Sequence, residues 1–116
     1  MSDLNIDERI RKAVLPVVPI CEPDFYDGDA QTYTTFNMTE MPTAFGDDKP
    51  RHIRYLIQLH LYAPGGPKRP SCRELRMGLA KAVWEAGFTF PEVVNASEQD
   101  LQHYVLEFEG VGESIL

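Results

Sequence analysis

The stretch from His52 to Tyr62 restricts the possible folds of this chain more than any other segment. Its odd-numbered positions are all apolar: Ile53, Tyr55, Ile57, Leu59 and Leu61. Most even-numbered positions are polar, with Leu56 and Tyr62 as exceptions. Side chains of a β-strand alternate between its two faces, so this period of two predicts a strand with one apolar face. At about 3.3 Å per residue the strand would be roughly 36 Å long. We therefore predict a central strand whose odd face packs against helices.

The size and composition of the chain fit one globular domain. It has 116 residues, of which 43% are hydrophobic and 25% charged, as is usual for a domain with a single core. We predict one domain over residues 1–116, with residues 1–4 and 110–116 loosely ordered. No apolar run approaches ~18 residues, and no secretory signal is visible, so no membrane contact is expected. Cys21 and Cys72 are interpreted as buried thiols and not as a disulfide.

A first helix is predicted near the start of the chain. Asn5 and Glu8 have the spacing of a capping box, which is typical of a helix N-terminus. Apolar residues then recur at helical spacing, until Pro16 ends the run. The predicted helix therefore has about ten residues.

A second helix is predicted between Ser71 and Ala86. Ser71 and Glu74 form another capping-box pattern, and Gly87 is the expected left-handed residue after the helix. Its apolar stripe consists of Leu75, Leu79, Ala82, Val83 and Ala86. A second stripe on nearly the opposite side consists of Met77, Ala80 and Trp84, with Arg73 among them. Either the first helix covers this second stripe, or it is an exposed interface, for which Trp, Met and Arg are typical.

The remaining segments predict an α+β fold. Residues 31–38 are rich in strand-forming residues and should pair antiparallel with the central strand. Residues 101–109 alternate again and predict the last strand. Val17–Pro23 is interrupted by prolines, so we predict an extended crossing segment without a strand partner. Thr39–Pro50 is predicted to be a long loop. The expected architecture is a mostly antiparallel sheet of about four strands with two helices packed on one face.

Charge is distributed unevenly along the chain, whose net charge is −7. Residues 1–48 carry 3 basic and 10 acidic side chains, residues 49–81 carry 8 basic and 1 acidic, and residues 82–116 carry 7 acidic and none basic. The segments therefore have net charges of −7, +7 and −7. Folding either mixes them into a neutralised surface or leaves acidic and basic faces on different sides. The second arrangement favours head-to-tail contacts, which generate rings. The negative total argues against a protein that coats nucleic acid.

No motif in the sequence indicates catalysis, a cofactor or a metal site. There is no glycine-flanked serine, no phosphate-binding glycine loop and no motif that links a cysteine to a histidine. Acidic residues surround Gly28, but their spacing does not match a calcium loop, and we interpret them as a solvated turn. They are Glu22, Asp24, Asp27 and Asp29. Asp47 and Asp48 alone do not form a nuclease site.

The three histidines of the chain give only a minor alternative. His52 and His60 would lie about 26 Å apart along one strand, so they cannot bind the same metal ion. His103 belongs to another strand, and a pair between it and one of the other two stays open. We predict no metal site.

Three groups of residues are candidates for contact with another protein. The predicted loop carries Met41 and Phe45, which either fold back onto the core or are offered to a partner. The basic middle segment and the second stripe of the second helix supply the others. The full set of predicted interface residues is Met41, Phe45, Arg51, Arg54, Arg73, Met77 and Trp84.

The order of these elements resembles the tail terminator (tail completion) proteins of long-tailed bacteriophages and their prophages. The residues that carry the resemblance are Tyr33-Thr34-Thr35-Phe36-Asn37, the Pro42–Asp48 loop, Arg54-Tyr55-Leu56-Ile57-Gln58-Leu59, Arg73-Glu74-Leu75-Arg76 and Glu85-Ala86-Gly87-Phe88. The similarity covers roughly residues 5–110. The Gly65-Gly66 turn and the prolines at 64, 67 and 70 depart from the family pattern.

The resemblance implies a structural protein without enzymatic activity or cofactor. Members of this family form a ring, commonly a hexamer, that caps the finished tail tube, stops its polymerisation and offers a surface to the head connector. The implied partners are copies of the same chain, the tail tube protein and the head connector or neck protein. The implied location is the virion tail, after assembly in the cytoplasm of the bacterial host. Neither nucleic-acid recognition nor membrane binding is implied.

Three alternatives remain open at the level of sequence. A head-tail joining protein of the phage neck shares the size and the ring-forming behaviour. A small intracellular enzyme or metal-binding domain requires the carboxylates or histidines to converge in one pocket. A plain adaptor domain would use the edge of its sheet.

Overall fold

In the part of the chain that the structure describes, the fold consists of one sheet and two helices. The computed structural model describes the backbone of residues 5–46 and 49–113, and the side chains of residues 5–41 and 52–112. Within these residues the elements are α1 (Ile6–Val14), β1 (Cys21–Pro23), β2 (Tyr33–Gly46), β3 (Lys49–Pro64), α2 (Arg73–Glu85), β4 (Glu92–Asn95) and β5 (Leu101–Glu113).

The sheet has five strands in the order β1-β2-β3-β5-β4. β1 runs parallel to β2, and every other neighbouring pair is antiparallel. The predicted α+β class is confirmed, with five strands of mixed direction instead of about four antiparallel ones. β3 lies at the centre, as predicted, because it pairs along its length with β2 on one side and β5 on the other.

The expectation that Val17–Pro23 has no strand partner is wrong. Cys21–Pro23 forms β1 and pairs in parallel with Thr34–Phe36. The backbone N–H of Thr34 and its hydroxyl both donate to the carbonyl of Ile20, at 2.9 and 2.6 Å. The prolines are compatible with this pairing because β1 is an edge strand, where a missing N–H can face away from the sheet.

The expectation of a long loop over Thr39–Pro50 is also wrong. β2 continues to Gly46 and β3 begins at Lys49, so most of the predicted loop belongs to a long hairpin. Beyond its pairing with β1, β2 has a free edge, which tolerates a proline. Asp47 and Asp48 lie outside the described residues. The last strand is longer than predicted too, since residues 110–113 belong to β5.

The two helix N-termini differ from each other. At α1 the predicted cap is confirmed, since the Asn5 side chain accepts a hydrogen bond from the Glu8 backbone N–H at 2.8 Å. The predicted capping box of α2 is wrong. Cys72 is the N-cap and makes no side-chain cap bond, and the Ser71 hydroxyl accepts only a long 3.4 Å bond from the backbone N–H of Arg73. Gly87 has a φ of +99°, the left-handed conformation predicted for it.

Both helices pack on the same face of the sheet, as predicted. Odd-numbered β3 side chains and even-numbered β5 side chains form this covered face. The residues at its centre are less than 2% exposed: Ile10, Val14, Ile57, Leu59, Leu61, Leu79, Val83 and Leu106. Cys21 and Cys72 are both buried and unpaired, as predicted. The single core therefore lies between the helices and the sheet.

The glycine-proline turn after β3 is fixed by a buried glutamine. The Gln102 side-chain amide donates to the carbonyls of Pro64 and Pro70, at 2.9 and 2.7 Å. The Tyr104 hydroxyl donates to the side-chain oxygen of Gln102 at 2.8 Å. At Gly65 a Cβ would lie 2.5 Å from backbone atoms of the neighbouring turn. The turn is therefore held closely against the start of β5.

Candidate interaction surface on the open sheet face

The face of the sheet opposite the helices is named the open face here. It carries the even-numbered side chains of β3 and the odd-numbered side chains of β5. One row crosses four strands, because Asn37 lies opposite Gln58, Gln58 opposite Glu107, and Glu107 opposite Glu92. All four side chains of this row are exposed. The open face thus carries a polar strip, whereas the covered face carries the apolar core.

An acidic groove of about 550 Å³ lies along this strip. Among the residues that line it are Leu56, Phe90, Glu92, Glu107 and Glu109. Glu92 and Glu107 are directly opposite each other on neighbouring strands, an arrangement that is unfavourable for two like charges. The Gln58 side-chain amide donates to Glu107 at 3.1 Å. Within the described residues, neither carboxylate forms an ion pair with a cation, and the neutral Gln58 amide is the side-chain donor to Glu107.

One cation borders the groove. The Arg54 guanidinium donates to the Glu109 carboxylate at 2.8 Å, and about half of each side chain is exposed. This hydrogen bond lowers the pKa of Glu109 from its ordinary value and raises the pKa of Arg54. The charges of Arg54 and Glu109 therefore cancel each other. The groove keeps the negative charge of Glu92 and Glu107.

An aromatic row crosses the open face near the other end of β3. Tyr26, Tyr33, Tyr62 and His103 follow one another with ring centroids 4.7, 4.9 and 4.4 Å apart. His60 completes the row, with its Nδ1 atom 2.8 Å from Nε2 of His103. The predicted minor alternative, a pair between His103 and another histidine, is therefore present. All five residues of this row are only partly exposed.

A basic turn lies between β3 and α2. Lys68, Arg69 and Arg73 are exposed, and none of them forms an ion pair within the described residues. Because Gln102 fixes the carbonyls of Pro64 and Pro70 on either side, this turn presents its cations from a defined position. The acidic groove and the basic turn are therefore separate surfaces of the same subunit.

The predicted interface residues fall into two places. Met41 and Arg54 face each other across β2 and β3 on the open face, and Met41 is 38% exposed. Arg73, Met77 and Trp84 belong to α2, on the other side of the sheet. The side chains of two further candidates lie outside the described part of the chain: Phe45 and Arg51.

The second stripe of α2 is only partly exposed. Met77 is 60% and Trp84 57% exposed, whereas Ala80 between them is buried. α1 packs against α2 but leaves the two large side chains uncovered. The Trp84 ring contacts Phe90 edge to face at 6.3 Å, and Phe90 is itself 64% exposed. These residues extend the predicted stripe into an exposed apolar patch.

The acidic turn around Gly28 does not converge on a metal-binding arrangement. Glu22 pairs instead with Arg11 of α1 at 2.8 Å, and Asp24, Asp27 and Asp29 are exposed. Among the described side chains, those of residues 5–41 and 52–112, no three His, Cys, Asp or Glu are grouped closely enough to hold a metal ion. The described helices are also too short and too polar to cross a membrane.

Sequence reasoning missed the acidic groove and the role of Gln102. The alternation in β5 places Glu107 and Glu109 on the non-core side, but β4 was needed to bring Glu92 next to them. No local pattern marks a four-residue edge strand whose residues are all exposed. Gln102, Tyr104 and Leu106 are alternate positions of β5, so their side chains lie on the same face of the sheet. This alternation could have predicted that Gln102 points into the core.

Comparisons of the sequence with family models and with curated proteins identify no relative. No protein-family model matches the chain, and no curated protein is significantly similar to it in sequence. Any function must therefore be argued from the fold and its surfaces.

Proposed function

We propose that this chain is a non-enzymatic structural subunit that assembles head to tail into a ring, as the tail terminator of a long-tailed bacteriophage or prophage. The order of its elements and the motifs they carry, from Tyr33 to Phe88, support this family. The observation that carries the assembly is the separation of two complementary surfaces. An acidic groove with excess carboxylates lies on the open face, and an exposed basic turn lies between β3 and α2.

The groove favours a cationic partner. Glu92 and Glu107 repel each other across neighbouring strands, and no cation within the described residues pairs with either of them. A lysine or arginine from another subunit would relieve this repulsion and form charge-assisted hydrogen bonds. The basic turn supplies such groups in Lys68 and Arg69.

Two different surfaces on one subunit produce a particular kind of assembly. A contact between the groove of one copy and the basic turn of the next is heterologous, and repeated heterologous contacts close into a ring when the rotation allows it. The resemblance to tail terminators makes a hexamer the expected size. Matching of opposite charges also selects the correct neighbour and accelerates the encounter.

The exposed apolar patch on α2 suits the second task of such a ring. Met77, Trp84 and Phe90 have the composition of protein interfaces. Met77 and Trp84 belong to α2, on the side of the sheet away from the groove, and Phe90 lies between Trp84 and the groove that it lines. In this proposal they contact the tail tube protein or the head connector, and the ring stops tube polymerisation. The subunit then resides in the virion tail after assembly in the host cytoplasm, without a cofactor.

A charge-swap experiment tests the ring contact. Lys68→Glu with Arg69→Glu should abolish self-association, because it places acidic groups against the groove. Glu92→Lys with Glu107→Lys in the same chain should restore it. Lys81→Glu, an exposed charge on α2, is the matched control. Sedimentation velocity at low and high salt, together with electron microscopy of purified protein with and without tail tubes, gives the readout. If self-association is unchanged by the charge swap and by high salt, the proposed contact is contradicted.

A second experiment tests the capping role. Trp84→Ala should leave the subunit folded, since the side chain is mostly exposed, but should weaken capping of tail tubes. The length distribution of tubes assembled with each variant measures this directly. Tubes of equal length with and without the wild-type protein would contradict a terminator function.

A further inference from the structure

Two histidines meet edge to edge on the open face. His60 Nδ1 and His103 Nε2 are 2.8 Å apart, and the two ring centroids are 5.1 Å apart with planes inclined by 29°. Together these values place the nitrogens at the facing edges of the two rings. In the neutral pair one nitrogen donates its hydrogen to the lone pair of the other. Two strong metal ligands therefore converge on one point.

Neighbouring residues hold the rings in this arrangement. Tyr62 stacks on His103 with centroids 4.4 Å apart, and Tyr33 stacks on Tyr62 at 4.9 Å. The Ser97 hydroxyl accepts a hydrogen bond from the backbone N–H of His103 at 2.9 Å. His60 belongs to β3, the central strand. A site built on rigid strands with stacked rings is preorganised for a ligand.

We propose that His60 and His103 bind one late first-row divalent metal ion of the zinc, nickel or copper class. Imidazole nitrogen is a preferred ligand of these ions. The ring that donates in the pair moves its hydrogen to its other nitrogen, so both rings stay neutral and each offers a lone pair to the metal. Water or an oxygen ligand occupies the remaining coordination positions. This site does not depend on the proposed tail function.

The geometry needs only a small adjustment. With metal-nitrogen distances of about 2.0–2.1 Å and tetrahedral angles, two imidazole nitrogens on one zinc ion lie roughly 3.3 Å apart. The two nitrogens must therefore separate by about 0.5 Å from the observed hydrogen-bond distance. Both side chains are only partly buried, and small rotations of the rings provide this separation.

The surroundings favour a cation at this point. A metal ion binds imidazole in its neutral form, through a nitrogen lone pair. Two carboxylates also act on the pair, Glu107 on His60 and Glu98 on His103. Their negative charge attracts a divalent ion.

Calorimetric titration with zinc chloride tests the site. The full chain without a histidine tag should bind one zinc ion at about pH 7.5 in a non-coordinating buffer. His60→Gln and His103→Gln should each weaken binding at least tenfold, because even a change in the second shell costs about 10–100-fold. His52→Gln is the matched control, because this exposed histidine shares a strand and a face with His60. It should bind zinc like the wild type.

Paramagnetic broadening gives an independent readout on the unaltered protein. Substoichiometric copper chloride should broaden the ring signals of His60 and His103 in NMR spectra before those of His52. Absence of saturable zinc binding to the wild type overturns the proposal, as does wild-type binding by both single variants. If circular dichroism shows that a variant does not fold, copper broadening of the wild-type signals is the deciding test. Equal broadening of all three histidines overturns the proposed site.

Discussion

The two faces of β3 differ more than any other two regions of the molecule. On the covered face Ile57, Leu59 and Leu61 are at most 1% exposed beneath the helices. On the open face Gln58 is exposed, and Leu56 and His60 are half-buried. The two sets alternate along one strand, so they share backbone geometry and neighbours in sequence. The difference shows that one strand can supply both the core of the domain and a polar outer face.

The largest expected effect comes from a cavity on the covered face. Leu59→Ala should lower the free energy of unfolding by about 2–5 kcal/mol, because it removes a fully buried side chain from a close-packed core. The matched change on the open face, Leu56→Ala, should cost about 1 kcal/mol or less. Chemical denaturation of both variants measures the difference. Equal losses would contradict the contrast between the two faces.

The next effect concerns a buried polar residue of the covered face, Gln102. Gln102→Leu removes the amide that serves the carbonyls of Pro64 and Pro70. We expect a loss of about 1–3 kcal/mol, the usual cost of leaving buried polar groups without partners. Gln58→Leu on the open face is the control and should change stability by about 0.5 kcal/mol or less. Thermal and denaturant unfolding of the two variants measure this difference. Because both variants replace glutamine by leucine, a difference in stability reflects the surroundings of the residue.

Acid should destabilise the open face through its histidine pair. The pKa values of His60 and His103 are lowered in the folded protein, so the unfolded chain binds protons more readily. Stability should therefore fall as the pH drops through about 6.5, the ordinary histidine value, and level off below the folded-state pKa values. Denaturation series in the presence of a chelator measure this decrease. His60→Gln should reduce this decrease; a pH slope unchanged by His60→Gln would contradict the assignment.

The smallest expected effect comes from the ion pair of Arg54 and Glu109. Both side chains are well exposed, so solvent and salt screen their attraction. Arg54→Gln should leave the unfolding midpoint almost unchanged, and the residual difference from wild type should vanish in high salt. If assembly changes more than stability in this variant, then the open face acts in binding and the covered face in folding.

Local patterns predicted the parts of the fold that depend on one segment. The alternation of His52–Tyr62 and of residues 101–109 identified β3 and β5, and the Asn5 cap identified α1. β1 and the extended part of the hairpin were missed because both contain prolines, which usually interrupt a strand, and because both strands have a free edge that tolerates them. The pair of His60 and His103 depends on the register between β3 and β5. The two histidines are 43 positions apart in sequence, and no short-range pattern encodes the register that brings them together.

The long β2–β3 hairpin also determines how the subunit moves in solution. The molecule measures 58 × 26 × 25 Å, and its radius of gyration of 15.5 Å exceeds the roughly 13.4 Å expected for a compact domain of this length. Such a rod-like particle has a larger frictional coefficient than a sphere of equal mass. The monomer should therefore elute early from a gel-filtration column and resemble a small oligomer there. Light scattering, which measures mass without reference to shape, distinguishes the elongated monomer from a true assembly.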